Sequence, residues 1–229
     1  MIRAVIFDVD FTLALPGPEL GPEGYRRLGE RHGLTLDPDR YDGARRAAHA
    51  SLQRHPELEH DDEVWVAFTE QIVRGMGGDA NGAYECAVDL VAVWESHDKF
   101  TLYEDALPVL EELRRHGLRL GLVSNGSRDL DEFVRHHALA VDCAVGSRAF
   151  GRTKPHPEIF RHALALLEVE PEEAAMVGDS YEDDIAGARA LGLRTFLLDR
   201  DGRYPDEPER LTDLYSLPAA LGLSPLQKG

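Results

Sequence analysis

Three short apolar runs in this chain each end abruptly in a polar cluster. Ala4–Phe7 leads into Asp8-Val9-Asp10, residues 118–123 into Ser124-Asn125-Gly126, and residues 174–177 into Gly178-Asp179-Ser180. Short apolar runs bounded by such breaks read as buried strands. Residues 143–145 and Arg194–Leu198 read the same way. Between them lie stretches with helical periodicity at 107–116, 129–137, 157–167 and 182–191. Pro108 suits the first turn of the first stretch and Gly117 its end, while Ile159, Phe160, Leu164 and Leu167 share one face of the third. Strands alternating with helices of this length predict an α/β fold, a parallel sheet covered on both faces. Ligands of such sheets bind beyond the carboxyl ends of the strands. The polar clusters fall at those ends.

A different pattern fills residues 23–96. Here the periodicity is helical, with Val64, Phe68, Ile72 and Val73 spaced along 63–74 and a second helix predicted over 83–94. Gly75, Gly77, Gly78 and Gly82 separate the two, and Pro16, Gly17, Pro18, Gly21 and Pro22 punctuate the approach. The expected organisation is a core of residues 1–15 and 100–229 interrupted by a helical insertion at 16–99. A chain of 229 residues accommodates one large domain with such an insertion. The formal net charge of -17 argues against nucleic acid or an anionic membrane as the main partner. No apolar run reaches the roughly 18 residues of a membrane span, and no secretory leader is evident at the N-terminus. Cys86 and Cys143 have no metal-like spacing and read as reduced thiols, so a cytoplasmic protein is expected. Oligomeric state is not legible.

Asp8 and Asp10 form an i, i+2 pair where the first strand ends. Two carboxylates held that close repel unless a cation or a shared proton intervenes. A hard divalent cation with oxygen ligands fits, and Mg²⁺ is the expected one. Asp179 offers a third carboxylate from another strand end, with Asp183 and Asp184 one helical turn further on to support the site from behind. A metal beside a carboxylate nucleophile lets a phosphate ester approach despite charge repulsion. A second carboxylate can protonate the leaving oxygen and then deprotonate the attacking water. Ser124 and Asn125 would donate hydrogen bonds to phosphoryl oxygens. The chain's basic residues are overwhelmingly arginine, with lysine only at Lys99, Lys154 and Lys228. Lys154, in the loop Gly151-Arg152-Thr153-Lys154-Pro155-His156-Pro157, would neutralise charge on the nucleophile and phosphoryl group.

Asp8-Val9-Asp10-Phe11-Thr12, Ser124-Asn125-Gly126, Lys154-Pro155, and Gly178-Asp179-Ser180 continuing into Asp183-Asp184-Ile185 occur in this order. Together they make the chain resemble the haloacid dehalogenase-like (HAD) hydrolase superfamily, over essentially its whole length. The resemblance implies a Rossmann-like sheet with strand order 5-4-1-2-3 and a helical cap inserted after the first motif. It implies Asp8 as nucleophile, Asp10 as acid/base, and Mg²⁺ held by Asp8, the Asp10 backbone carbonyl and Asp179. Thr12, Ser124, Asn125 and Lys154 are then expected against a small phosphorylated metabolite. Phe11 stands where many relatives carry Gly, a position that varies among them, and is expected to pack beneath the hinge of the cap. The haloacid dehalogenases proper lack the second Asp, because a halide leaving group needs no proton. Asp10 therefore favours a phosphatase, with a dehalogenase-like hydrolase, a phosphomutase and a catalytically silent scaffold as the alternatives.

Several lookalikes read more simply. Asp37-Pro38-Asp39-Arg40-Tyr41-Asp42-Gly43 lacks the acid spacing of a calcium loop and reads as a helix start. Asp199-Arg200-Asp201-Gly202 reads as a surface turn, and His55, His60, Asp61 and Asp62 as a solvated face rather than a second metal site. Trp65 and Phe68 read as the insertion's own core. Arg45 and Arg46 read as solvated surface rather than as partners for an acidic substrate group. His136 and His137 read as helix-end or surface residues.

Overall fold

The computed structural model describes residues 1–52, 57–79 and 81–223. The strands, in chain order, are β1 (Ala4–Phe7), β2 (Ala14–Pro16), β3 (Phe100–Leu102), β4 (Arg119–Ser124), β5 (Cys143–Gly146), β6 (Ala174–Gly178), β7 (Arg194–Leu198) and β8 (Arg210–Leu211). The helices are α1 (Pro22–Arg31), α2 (Tyr41–Ala50), α3 (Asp62–Gly75), α4 (Ala83–Glu95), α5 (Ala106–Arg115), α6 (Leu130–His136), α7 (Ser147–Phe150), α8 (Pro157–Leu166), α9 (Gly187–Ala190) and α10 (Leu217–Ala220).

Six strands form one parallel sheet in the order β5-β4-β1-β6-β7-β8. Its first five strands keep the expected 5-4-1-2-3 arrangement, and β8 adds a sixth at the β7 edge. That strand escapes sequence reading because it is two residues long and buries only Leu211. β1 is central, and all four of its residues are buried. Val5 and Phe7 enter one apolar cluster, with Val109 and Leu113 of α5 and Phe133 of α6. Ala4 and Ile6 enter another, with Ile159, Phe160 and Ala163 of α8. Strict alternation of side chains thus serves two covered faces, as parallel sheets require. Gly117 takes a φ of 78° just past α5, a left-handed turn that Gly makes without strain.

A third apolar cluster lies wholly within residues 25–90, around Tyr25, Leu36, Ile72, Met76 and Leu90. It is built by α1 to α4. Asp61 caps α3 by accepting from the Glu63 N–H at 2.9 Å. Asp37 does the same for Asp39 at a short 3₁₀ turn, Pro38–Arg40, as a helix start should. The chain enters and leaves this helical segment through β2 and β3, which pair antiparallel, apart from the main sheet. Neither short strand has a sequence signature: Ala14–Pro16 ends in proline and Phe100–Leu102 spans three residues. Cys86 and Cys143 are free thiols. No helix among the described residues is long and apolar enough to cross a membrane.

Candidate active site

At the carboxyl end of β1 the pairing with β6 continues for one residue, as Asp8 N–H donates to the Val177 carbonyl at 2.9 Å. The chain then reverses in a tight turn, in which Phe11 N–H donates to Ala14 O at 2.7 Å and Leu13 N–H to Val9 O at 2.8 Å. The turn demands a positive φ at Phe11, 64°. A left-handed backbone at a non-glycine residue costs about 1–2 kcal/mol, which is why glycine suits this position. Phe11 is not tucked away in compensation. Its ring lines the main cavity, with the Arg45 guanidinium 5.1 Å from the ring centroid.

Lys154 is the centre of the buried charge. Its side chain is 2% exposed, and Nζ donates to Asp8 Oδ1 and to Asp184 Oδ1, each at 2.6 Å. Burial opposes its charge, but Asp184 and Asp8 outweigh burial and hold the ammonium protonated beyond the ordinary lysine range. Asn125 fixes the lysine's backbone from both sides: its amide nitrogen donates to Lys154 O at 3.0 Å, and its oxygen accepts from Lys154 N–H at 2.7 Å. Asn125 therefore positions Lys154, a role its sequence context did not suggest.

Asp184 sits inside the site rather than behind it. It is fully buried, and its second oxygen accepts from Ser180 N–H at 3.0 Å. The predicted helix at 182–191 begins as a π-helical turn, Tyr181–Ala186, before α9. That wider turn returns Asp184 over the end of β6, where a Cβ at Gly178 would collide with its carboxylate. Asp183 is half-buried on the cavity wall, and its N–H donates to Ser180 Oγ at 3.2 Å.

Asp8, Asp179 and Asp184 bring carboxylate oxygens within 4.8 Å of one another. Burial pushes Asp8 up to about 7, reinforced by Asp184 against the pull of Lys154. Burial and then Asp8 push Asp179 up to about 7, while burial raises Asp184 to about 6, with Lys154 opposing and Asp179 adding to the rise. Lys154 bridges Asp8 and Asp184, Arg203 lies 3.5 Å from Asp179, and all three carboxylates are still harder to ionise than free aspartate. A donor set of buried carboxylate oxygens with surplus negative charge fits a hard divalent cation. Among the described residues no other group of metal-ligating side chains converges in this way.

This cluster links pH to stability with a definite sign. Between the ordinary aspartate value near 4 and the raised values of about 6 to 7, the folded chain binds more protons than the unfolded chain. Metal-free stability therefore falls as pH rises through that window. A divalent cation held by the ionised trio would reverse the loss. Millimolar Mg²⁺ is expected to raise Tm by roughly 5–10 °C at about pH 8, for saturation near one hundred times Kd, and much less at about pH 5. Thermal melts at the two pH values check this; an equal Mg²⁺ effect at both would contradict it.

Asp10 stands apart from the trio. Both its oxygens accept from Arg128, at 2.9 and 3.1 Å, and the Arg128 guanidinium lies 3.7 Å from the Phe100 ring centroid. Ser124 lines the cavity. Thr12 does not: it is fully buried off the cavity wall, and its hydroxyl has no hydrogen-bond partner among the described residues. The Asp199–Gly202 stretch is not a mere surface turn. Asp199 is 1% exposed and accepts from the N–H groups of Arg203 and Tyr204 at 2.7 and 2.9 Å. The loop it organises carries Arg200, paired to both oxygens of Asp105 at 2.9 Å, and Arg203, 3.5 Å from Asp179. Sequence reading missed Arg128, Arg200 and Arg203. Only the nearness of Arg128 to Ser124-Asn125-Gly126 could have drawn attention to one of them.

A cavity of about 570 Å³ separates these loops from the helical segment. Its far wall includes Arg45, Arg46 and His49 of α2, Trp65 and Phe68 of α3, and Trp94 of α4. Trp65 and Phe68, expected as the insertion's core, meet edge to face at 6.3 Å and are only half-buried. Arg45 is half-buried on the cavity wall, whereas Arg46 borders the cavity but stays exposed, as expected. His60 is no solvated side chain: it is 6% exposed and hydrogen-bonded to Ser147 Oγ and Asp62 Oδ1, each at 2.9 Å. Backbone bonds run alongside, Thr153 N–H to Leu58 O at 2.8 Å and His60 N–H to Gly151 O at 3.1 Å. His55 lies outside the described residues. His137 is hydrogen-bonded to the His97 carbonyl at 3.3 Å and is close to a helix end, as expected.

Known proteins share this architecture. The family model described as haloacid dehalogenase-like hydrolase matches residues 2–192. A phosphoserine phosphatase from Thermus thermophilus is 34% identical, over 93% of this chain and 94% of its own. The crystal structure of a HAD phosphatase from Thermococcus onnurineus superposes with a TM-score of 0.67 at 26% identity, covering 96% of this chain and 98% of that one. A 2-haloacid dehalogenase from Pseudomonas syringae pv. Tomato gives 0.64 at 26% identity, covering 97% and 99%. With the family model spanning most of its length, and the acid cluster at the strand ends where the family's motifs fall, this chain belongs to the haloacid dehalogenase-like hydrolases.

Proposed function

We propose that the chain is a Mg²⁺-dependent phosphatase that hydrolyses a small phosphorylated metabolite through an aspartyl-phosphate on Asp8. The observation that carries this reading is the buried Lys154 ammonium, 2.6 Å from both Asp8 and Asp184, beside a cavity that Asp10 also lines. The similarity to the Thermus phosphoserine phosphatase supports it.

Asp8, Asp179 and Asp184, with the Asp10 backbone carbonyl that the family resemblance implies, would hold Mg²⁺, which neutralises phosphoryl charge as the ester approaches. Asp8, kept in place by Lys154, attacks phosphorus; the ester P–O bond breaks and Asp10, with one oxygen released from Arg128 and protonated, gives that proton to the leaving oxygen. Asp10 then takes a proton from water, whose oxygen attacks phosphorus and releases inorganic phosphate and the Asp8 carboxylate. Ser124 donates to a phosphoryl oxygen, Arg128 orients Asp10, and Asn125 aligns Lys154. Residues 16–99 act as a cap that excludes bulk water and selects the leaving group.

The test is hydrolysis of an aryl phosphate with Mg²⁺ and with chelator. Phosphate release that chelation abolishes is the expected result. No release, or halide release from a 2-haloacid without metal, would overturn the reading in favour of dehalogenation. Transfer of the phosphoryl group to a second hydroxyl, with little free phosphate, would identify a phosphomutase.

A further inference from the structure

Carboxylates outnumber cationic side chains 42 to 25 in this chain, so an arginine near the cavity readily finds an acid. Arg128 pairs with Asp10, Arg200 with Asp105, Arg203 with Asp179. Arg45 and Arg46 are the exception: they line the cavity with no carboxylate partner among the described residues. Tyr41, Arg45 and His49 recur every four residues along α2 and all line the cavity, so one helical stripe places the Arg45 guanidinium on the wall of the cavity that holds the acid cluster. Tyr41 shares the adjoining face with Ala44 and Ala48, all three buried in the helical segment's own cluster, so Arg45 stands at the border between that cluster and the cavity.

Phe11 ties this face to the reacting groups. It occupies a strained positive-φ position directly after Asp10, and its aromatic ring is the platform beneath the Arg45 guanidinium. A small residue would relieve the backbone but leave Arg45 unsupported. Arg45 and Asp8 line the same cavity, part of whose wall Phe68 and Ile72 make apolar.

We propose that the leaving group of the preferred substrate carries a second anionic group, a carboxylate or another phosphate, bound by Arg45 on its Phe11 platform with Arg46 and His49 alongside. The inference rests on the phosphatase reading and names its substrate class. A charge-assisted, two-pronged contact from arginine gives such a substrate its advantage over a neutral ester of equal length.

The experiment compares kcat/KM for a phosphorylated hydroxy acid, a sugar bisphosphate and a neutral polyol monophosphate of matched length. In wild type the better anionic substrate is expected to exceed the neutral one by roughly 10- to 100-fold, and which series leads separates carboxylate from phosphate. Arg45→Gln is expected to collapse that ratio toward one, mainly through KM, and Arg45→Lys to restore part of it. Melting curves confirm that the variants are folded. A wild-type ratio near one, or a ratio unmoved by Arg45→Gln, overturns the inference even while aryl phosphate is still hydrolysed. Loss of all phosphate-ester hydrolysis in wild type would instead overturn the phosphatase reading beneath it.

Discussion

Asp8→Asn is expected to lower phosphate-ester hydrolysis by roughly 10⁴-fold or more, the scale of losing a covalent nucleophile. The substitution is nearly isosteric and leaves the amide oxygen able to accept from Lys154. It also removes one of three carboxylates crowded within 4.8 Å, one that burial already pushes up to about 7. Little loss of fold is therefore expected, and the metal-free variant should melt within a few degrees of wild type near neutral pH. Steady-state phosphate release, read beside a melting curve, separates the two effects. Activity within tenfold of wild type would remove Asp8 from the chemistry.

The second large effect belongs to Lys154→Met. It takes the only ammonium from between Asp8 and Asp184 and leaves both carboxylates facing an apolar chain. Breaking a buried ion pair from one side costs about 3–5 kcal/mol. Without the lysine both acids rise further, so the folded variant holds protons to still higher pH. Stability then falls as pH increases, and the deficit against wild type is expected to be largest above about pH 7 and to shrink toward about pH 5, where both acids can protonate. Denaturant melts at the two pH values measure it. Adding Asp184→Asn should recover part of the loss, because one of the two stranded charges is gone. A deficit independent of pH would point to a packing defect instead. Activity is expected to fall by about 10²–10³-fold, as when a preorganised charge is removed from an active site.

The strand ends were legible because an apolar run meeting an acid is a local event. Ala4–Phe7 stops at Asp8 whatever the rest of the chain does. Lys154 was legible for a compositional reason, standing among only three lysines. Asp184 was placed one layer too far out, because ordinary helical geometry does not anticipate the π-helical turn that brings it over Gly178. Arg128 and Arg200 were invisible because their partners lie 118 and 95 residues away. Local sequence carries no record of which distant carboxylate a guanidinium will choose. The places of Trp65 and Arg45 on the cavity wall were misread for a related reason, while Phe68 packs against the segment's own cluster as expected. Helical periodicity shows which residues share a face, not whether that face meets core, solvent or a cavity.

The pairing of residues 58–60 with 151–153 bears on how exchangeable the helical segment is. Two of its hydrogen bonds run from backbone to backbone and depend on the path of the chain, while Thr153 Oγ1 donating to Leu58 O and the Arg152–Glu59 ion pair add side-chain contacts. The loop that delivers Lys154 is thus completed by a strip of the insertion. A chimera carrying another relative's helices would inherit the sheet and the acids intact, yet would seat its lysine only if the donor followed the same path past Gly151.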